Sequence, residues 1–224
     1  MESHEQLTAE QARVLGALIE KAYTTPDSYP LSSNALMAAC NQSTNRDPVV
    51  SYSEREIDAT MLALRERGLA RTLSGTGHRV PKHRHVAEEA MGLDGTETAV
   101  LAVLLLRGAQ TLNEITTRTE RYADGPGGDD EAVDHAIDRL ANRPEPLVVR
   151  LERRPGEREP RIDQLWAATG AASSSPAESP SPQPSPPPAG GADRIAELEA
   201  QVASLTARLE ALEVALGISS GDET

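Results

Sequence analysis

Val14, Leu15, Leu18 and Ile19, joined by Ala22, recur at the three- and four-residue steps of an amphipathic helix. Thr8 and Gln11 ahead of them have the spacing of a capping box, which predicts where that helix begins. Pro26 and Pro30 then interrupt the chain, and Ser32 or Ser33 can cap a short second helix running to about Cys40. A further capping pair, Ser53 with Glu56, opens a third helix with Ile57, Met61 and Leu64 on its apolar side and Gly68 at its end. Two short runs, residues 69–73 and 78–82, flank Ser74-Gly75-Thr76-Gly77, and that turn chemistry predicts a hairpin.

The same pattern returns. Val14, Leu15, Leu18 and Ile19 match Val100, Leu101, Leu104 and Leu105 at an offset of 86. Residues 31–36 match 110–115 at 79, Ile57, Met61 and Leu64 match Val133, Ile137 and Leu140 at 76, and Leu69 matches Leu147 at 78. The drift in offset reflects a longer middle loop in the first copy. In the second copy Thr111 and Glu114 cap the short helix, and Pro155-Gly156 falls in the hairpin. Three helices followed by a hairpin is the order of a winged helix-turn-helix. The expected fold is therefore mainly α with small β-hairpins (α+β), as two tandem winged helix-turn-helix domains over 1–90 and 91–168.

Beyond Trp166 the composition changes. Residues 171–192 hold 7 of the 16 prolines among Ser, Ala and Gly, with one charge. Too little apolar surface is present to fold, so 169–192 is expected to be a disordered spacer. Ile195, Leu198, Val202, Leu205, Leu209, Leu212 and Leu216 then alternate steps of three and four, a heptad seam over 193–217. β-Branched residues at two a positions and Leu at every d favour a parallel two-stranded coiled coil, hence a homodimer. The charges flanking the seam agree, since Arg194 meets Glu199 and Arg208 meets Glu213 in the parallel arrangement. An amphipathic helix docked back on its own chain is the alternative.

Composition narrows the functional classes. Hydrophobic residues make up 38% of the chain, with no Phe and one Trp, which suits small helical units. The single cysteine, Cys40, excludes an internal disulfide framework and fits a reducing compartment. No leader pattern opens the chain, and its longest apolar run, residues 99–106, falls far short of the roughly 20 residues that cross a bilayer. A cytoplasmic protein without membrane contact is expected. Net charge is −13, spread as −2 over residues 1–90, −5 over 91–170 and −6 over the rest. Bulk electrostatics therefore do not favour nucleic acid, and any DNA contact must use a local patch.

Residues 24–49, TTPDSYPLSSNALMAACNQSTNRDPV, closely resemble the signature of the YceH-like family of uncharacterised bacterial proteins. Arg107-Gly108-Ala109-Gln110-Thr111 and Arg154-Pro155-Gly156-Glu157-Arg158-Glu159 are similar to its two later motifs. The resemblance spans roughly residues 8–166 and leaves out the linker and heptads. Ala109 stands where that family usually has proline, which loosens the turn before the second copy's short helix. What the resemblance implies is a pair of winged-helix domains and no established activity.

Two regions carry candidate chemistry. The loop 41–47 sits where a helix-turn-helix approaches a duplex, and Asn41, Asn45 and Arg46 suit base edges and phosphates. Its other reading is a turn whose polar groups satisfy their own backbone, with Arg46 paired to an aspartate. The first hairpin and its flanks offer Arg71, Arg79, Lys82 and Arg84, suited to the phosphate backbone or else to a solvated, charge-balanced surface. Against DNA stand the acidic third helices, with Glu54, Glu56 and Asp58 in the first copy and Asp129, Asp130, Glu131, Asp134 and Asp138 in the second. The second copy is therefore expected to form a protein-contact or dimer surface. His78, His83, His85 and Cys40 match no zinc spacing, and no phosphate-cradling loop or nucleophile motif is present, so neither metal, cofactor nor enzymatic activity is expected. The leading expectation is a DNA-associated regulatory protein acting through its first domain on double-stranded DNA. The second is a protein-interaction scaffold on the same fold without DNA binding.

Overall fold

Thr8 accepts from the Gln11 amide at 3.2 Å while Gln11 accepts from the Thr8 amide at 3.1 Å, and α1 (Ala9–Thr24) begins at that reciprocal cap. The computed structural model describes residues 6–75, 78–122, 128–153 and 155–167, without the side chains of 78 and 79. The described residues belong to one compact unit, Met1–Ser174. The linker 169–192, the heptad positions from Ile195 to Leu216 and the Arg79 side chain lie outside them.

Sequence periodicity predicts one buried face on α1, yet every residue from Ala12 to Glu20 is buried. The reason is α5 (Gly95–Arg107), the first helix of the second copy, whose residues Glu97 to Leu106 are buried in the same way. The two helices meet at Gly16, where a Cβ would lie 3.0 Å from Leu106 Cγ and 3.2 Å from Leu105 Cβ. A glycine inside a helix costs about 1 kcal/mol relative to alanine, and here it permits that close approach. Val14, Leu15, Leu18, Ile19, Leu101 and Leu104 thereby join one continuous core.

Around α1 the first copy adds α2 (Ser33–Cys40), capped by Ser32, and α3 (Glu54–Glu66), which opens on the Ser53–Glu56 box. Gly68, at φ +69°, turns the chain out of α3 as expected. The hairpin β1 (Ala70–Gly75) and β2 (His78–His85) runs antiparallel from Ala70↔His85 to Gly75↔His78, longer than the sequence suggests. Two further features carry no sequence signal. Leu31, just ahead of α2, exchanges both backbone hydrogen bonds with His83, and α4 (Ala87–Met91) follows the hairpin and ends at Gly92.

The second copy repeats this order as α6 (Leu112–Thr119), α7 (Asp130–Ala141), β3 (Val148–Arg150) and β4 (Ile162–Gln164). Its Gln110 exchanges backbone hydrogen bonds with Ile162 as Leu31 does with His83, and both partners are displaced by 79. Repetition thus extends from the apolar pattern to the tertiary pairing. Ala109 does not leave its turn unsupported, because Arg161 and Gln110 both donate to its carbonyl. Leu7 donates to the Trp166 carbonyl at 2.8 Å, which ties the two ends of the described unit together.

Candidate functional site

The loop 41–47 does not present the side chains expected of it. Arg46 is buried: its guanidinium donates to Glu20 Oε2 at 2.5 Å, to the Ala39 carbonyl at 2.9 Å and to Gln42. Glu20 is itself only 3% exposed, and its other oxygen accepts from Arg121 at 2.7 Å. The partner is thus a glutamate on α1 rather than a nearby aspartate, and a guanidinium so occupied cannot reach a base without opening the core. Asn41 is equally engaged, since its amide nitrogen donates to the Tyr52 carbonyl and its oxygen accepts from the Tyr52 amide, both at 2.8 Å. Asn45 adopts φ +60° and accepts from Arg107 at the end of α5. These three residues fix the loop to the body of the protein.

The basic hairpin residues are partly neutralised. Glu89 on α4 receives Arg71 at 3.3 Å and Arg84 at 2.9 Å, in exposed pairs worth little in stability but enough to lower local charge. Lys82, half-buried and opposite Leu73 across the hairpin, has no carboxylate within 4.0 Å among the described residues. Arg71, Lys82 and Arg84 do share one hairpin. They stand apart from Asn41, Asn45 and Arg46.

A cavity of about 540 Å³ lies instead between α3 and the hairpin. Met61, Leu62, Val80 and Pro81 form its apolar lining, and Glu54, Asp58 and Arg65 are its charged lining residues. Leu62 and Val80 are about half exposed, and Leu73 on the neighbouring strand is 37% exposed. Large apolar side chains left open around a concavity mark a binding surface more often than a solvated one.

His83 closes the floor of this cavity. Its Nε2 lies 3.0 Å from Ser33 Oγ and its Nδ1 lies 3.1 Å from Thr72 Oγ1. Ser33 donates its hydroxyl proton to Asp58 at 2.7 Å, so it can only accept from His83. Nε2 therefore carries a proton, and in the neutral ring Thr72 donates to Nδ1. Burial pushes His83 below the ordinary imidazole range, opposed by the Asp58 charge. The chain Thr72–His83–Ser33–Asp58 aims the serine proton away from the imidazole, the reverse of what an activated serine needs. Its effect is to anchor α2, α3 and the hairpin to one another. The cavity has little local sequence signature because its lining comes from three elements, and its one local sign is apolar Leu62 on the outward side of an otherwise charged helix.

In the second copy the corresponding face is shut. Arg150 on β3 donates to Asp134 at 2.7 Å and to Asp138 at 2.9 Å on α7, and Asp129 spends its carboxylate capping that helix. The acidic run expected to face a partner is largely committed within its own chain. Cys40 is buried and its thiol is pushed up to about 12 by desolvation.

Residues 7–157 match the model of a protein family described as a protein of unknown function, DUF480. The chain is 45% identical over 195 residues to a UPF0502 protein of Pelobacter propionicus, covering 87% of this chain and 88% of the relative. A UPF0502 protein of Geotalea daltonii is 50% identical over 157 residues, covering 70% and 71%. The UPF0502 protein YceH of Salmonella paratyphi B is 40% identical over 225 residues, covering 95% of this chain and 98% of the relative. That last alignment runs through the linker into the heptad segment, further than the family resemblance read from the sequence.

Proposed function

The chain belongs to the DUF480 family, and we propose that it is a non-enzymatic protein-interaction module whose first copy holds a short segment of a partner protein between α3 and its hairpin. We read each copy as a winged helix-turn-helix in which the face that elsewhere meets DNA has been turned to protein; fold alone does not carry function. The observation that supports this is the cavity lined by half-exposed Leu62 and Val80 together with Glu54 and Asp58. The occupant that fits is an apolar segment with a lysine or arginine beside its anchoring residue, because Glu54 and Asp58 outnumber Arg65 among the charged residues that line the cavity. Paired through the heptads, two chains would present two such grooves, which raises avidity without new contacts.

Selection of a random peptide library on the full-length protein tests this. The expected products carry an apolar anchor next to a basic residue, and Leu62→Asp or Val80→Asp removes the selection. Enrichment that survives both substitutions, or none above background, overturns the reading. Arg71, Lys82 and Arg84 on one hairpin favour DNA as the second reading. It requires binding to random duplex that weakens by orders of magnitude between about 50 and 200 mM salt and is lost in Lys82→Ala.

A further inference from the structure

Among the described residues no strand pairs with the outer edge of β1. Leu31 exchanges both backbone hydrogen bonds with His83, at 3.1 and 2.7 Å, so His83 has none left for Thr72, which stands opposite it in the hairpin. Opposed residues of an antiparallel pair alternate between those that bond each other and those that point outwards. Thr72 therefore turns its N–H and C=O away from β2. The His85 amide, two residues on, donates to the Tyr29 hydroxyl at 2.7 Å, which puts Ala70 in the same phase. Among the described residues no hydrogen bond from outside the hairpin reaches the Thr72 backbone.

That edge borders a hollow. A second cavity, of about 410 Å³, lies between it and the C-terminal half of α3, lined by Leu62, Arg65, Glu66 and residues 70–73. It adjoins the larger cavity, with which it shares Leu62, Arg65 and Thr72. Exposed strand edges are usually blunted by shortness or by charge. The second copy follows that rule: β3 has three residues, and Arg150, at the position of Thr72, reaches across to Asp134 and Asp138. In the first copy β1 has six residues, and its single charge, Arg71, is paired with Glu89.

We infer, resting on the groove reading above, that the partner segment binds as an added β-strand on the outer edge of β1. Its backbone exchanges hydrogen bonds with Thr72 and Ala70, and its alternate side chains turn towards α3. The residue opposite Thr72 is the apolar anchor, because Thr72 lines both cavities together with Leu62. The lysine or arginine beside it stands two places along and shares its face. There it looks on to α3, where Glu54, Asp58 and Glu66 outnumber Arg65 among the lining residues. A second copy of this chain gives no such match, since pairing β1 with β1 would set two Arg71 side chains on one face.

The probe is a set of synthetic peptides enriched on the full-length protein, each carrying one backbone N-methyl group. N-Methylation should weaken binding by about tenfold or more at every second residue and little in between, because only alternate N–H groups face β1. In the complex the Thr72 amide should exchange with solvent more slowly than in the free protein, by about tenfold or more. The Arg71 and Leu73 amides, which face β2, should change little. Losses spaced three or four residues apart, or a Thr72 amide that exchanges equally fast in the complex, overturn strand addition and leave the groove reading standing. Absence of any enriched peptide overturns both. A Thr72 amide protected in the free protein and released on dilution overturns the partner strand in favour of a second copy.

Discussion

The third helix and hairpin of the first copy form an open groove, while those of the second copy are latched together. Their positions correspond: Asp58 to Asp134 and Leu62 to Asp138 at an offset of 76, Thr72 to Arg150 at 78, and His83 to Ile162 at 79. In the second copy Arg150 bridges both aspartates, and Ile162 supplies an apolar floor that is 1% exposed. In the first copy threonine replaces that arginine, leucine replaces the second aspartate, and a histidine in a hydroxyl network replaces the isoleucine. One backbone plan thus gives a surface that can receive a ligand and another that satisfies itself. The three side chains that differ at these positions decide which.

Substitutions can break or sharpen that contrast. The largest effect belongs to what both copies share. Arg46→Ala leaves one oxygen of the buried Glu20 carboxylate unpaired, with the half-exposed Arg121 still on the other, and should cost up to about 3 kcal/mol in urea unfolding, with both copies lost in one transition. A loss within 0.5 kcal/mol would contradict the buried-pair account. Next, Gly16→Leu wedges α1 from α5 and should cost at least about 1–3 kcal/mol by overpacking. Unchanged thermal stability would mean that the two helices are less closely apposed than the structure places them.

His83→Ile transplants the second copy's floor into the first. Burial lowers the His83 pKa in the folded protein, whereas the unfolded chain takes up a proton below about pH 6.5. The wild type should therefore lose stability as pH falls through that value, with a slope of up to about 1.4 kcal/mol per pH unit from this residue, and lose none above it. His83→Ile should remove that share and leave the part due to His85, which burial also lowers. Unfolding curves at pH 5, 6, 7 and 8 measure it, and an unaltered acid slope would exclude His83 as the source. Smallest is Arg150→Ala, which opens the latch at the cost of about 1 kcal/mol or less, because the pair is partly exposed. Hydrogen exchange confined to α7 and the second hairpin should register the change.

Much of the fold was legible in local signals. The caps at Thr8, Ser53 and Thr111 form with the partners their spacing predicts, and Val14, Leu15, Leu18 and Ile19 are fully buried. The offset of 79 read at the short helices also separates the Leu31–His83 pairing from the Gln110–Ile162 pairing, although neither pairing had a sequence signal of its own. The candidate site was less legible. Arg46 and Lys82 read alike in a sequence, yet one is spent on a glutamate 26 residues away and the other remains at the surface. Glu89, which neutralises Arg71 and Arg84, carried no sign of that role.

The sequence by itself determined the helices, their caps, the hairpin turns and the repetition, because these depend on dihedral preferences and on contacts within a few residues. Tertiary structure alone decided that α1 is covered on nearly all sides, that Arg46 is interior and that one of two equivalent faces stays open. Those outcomes turn on which charged and apolar side chains come within a few ångströms once α1 and α5 pack. Desolvation and pairing act over such distances, whatever the separation along the chain.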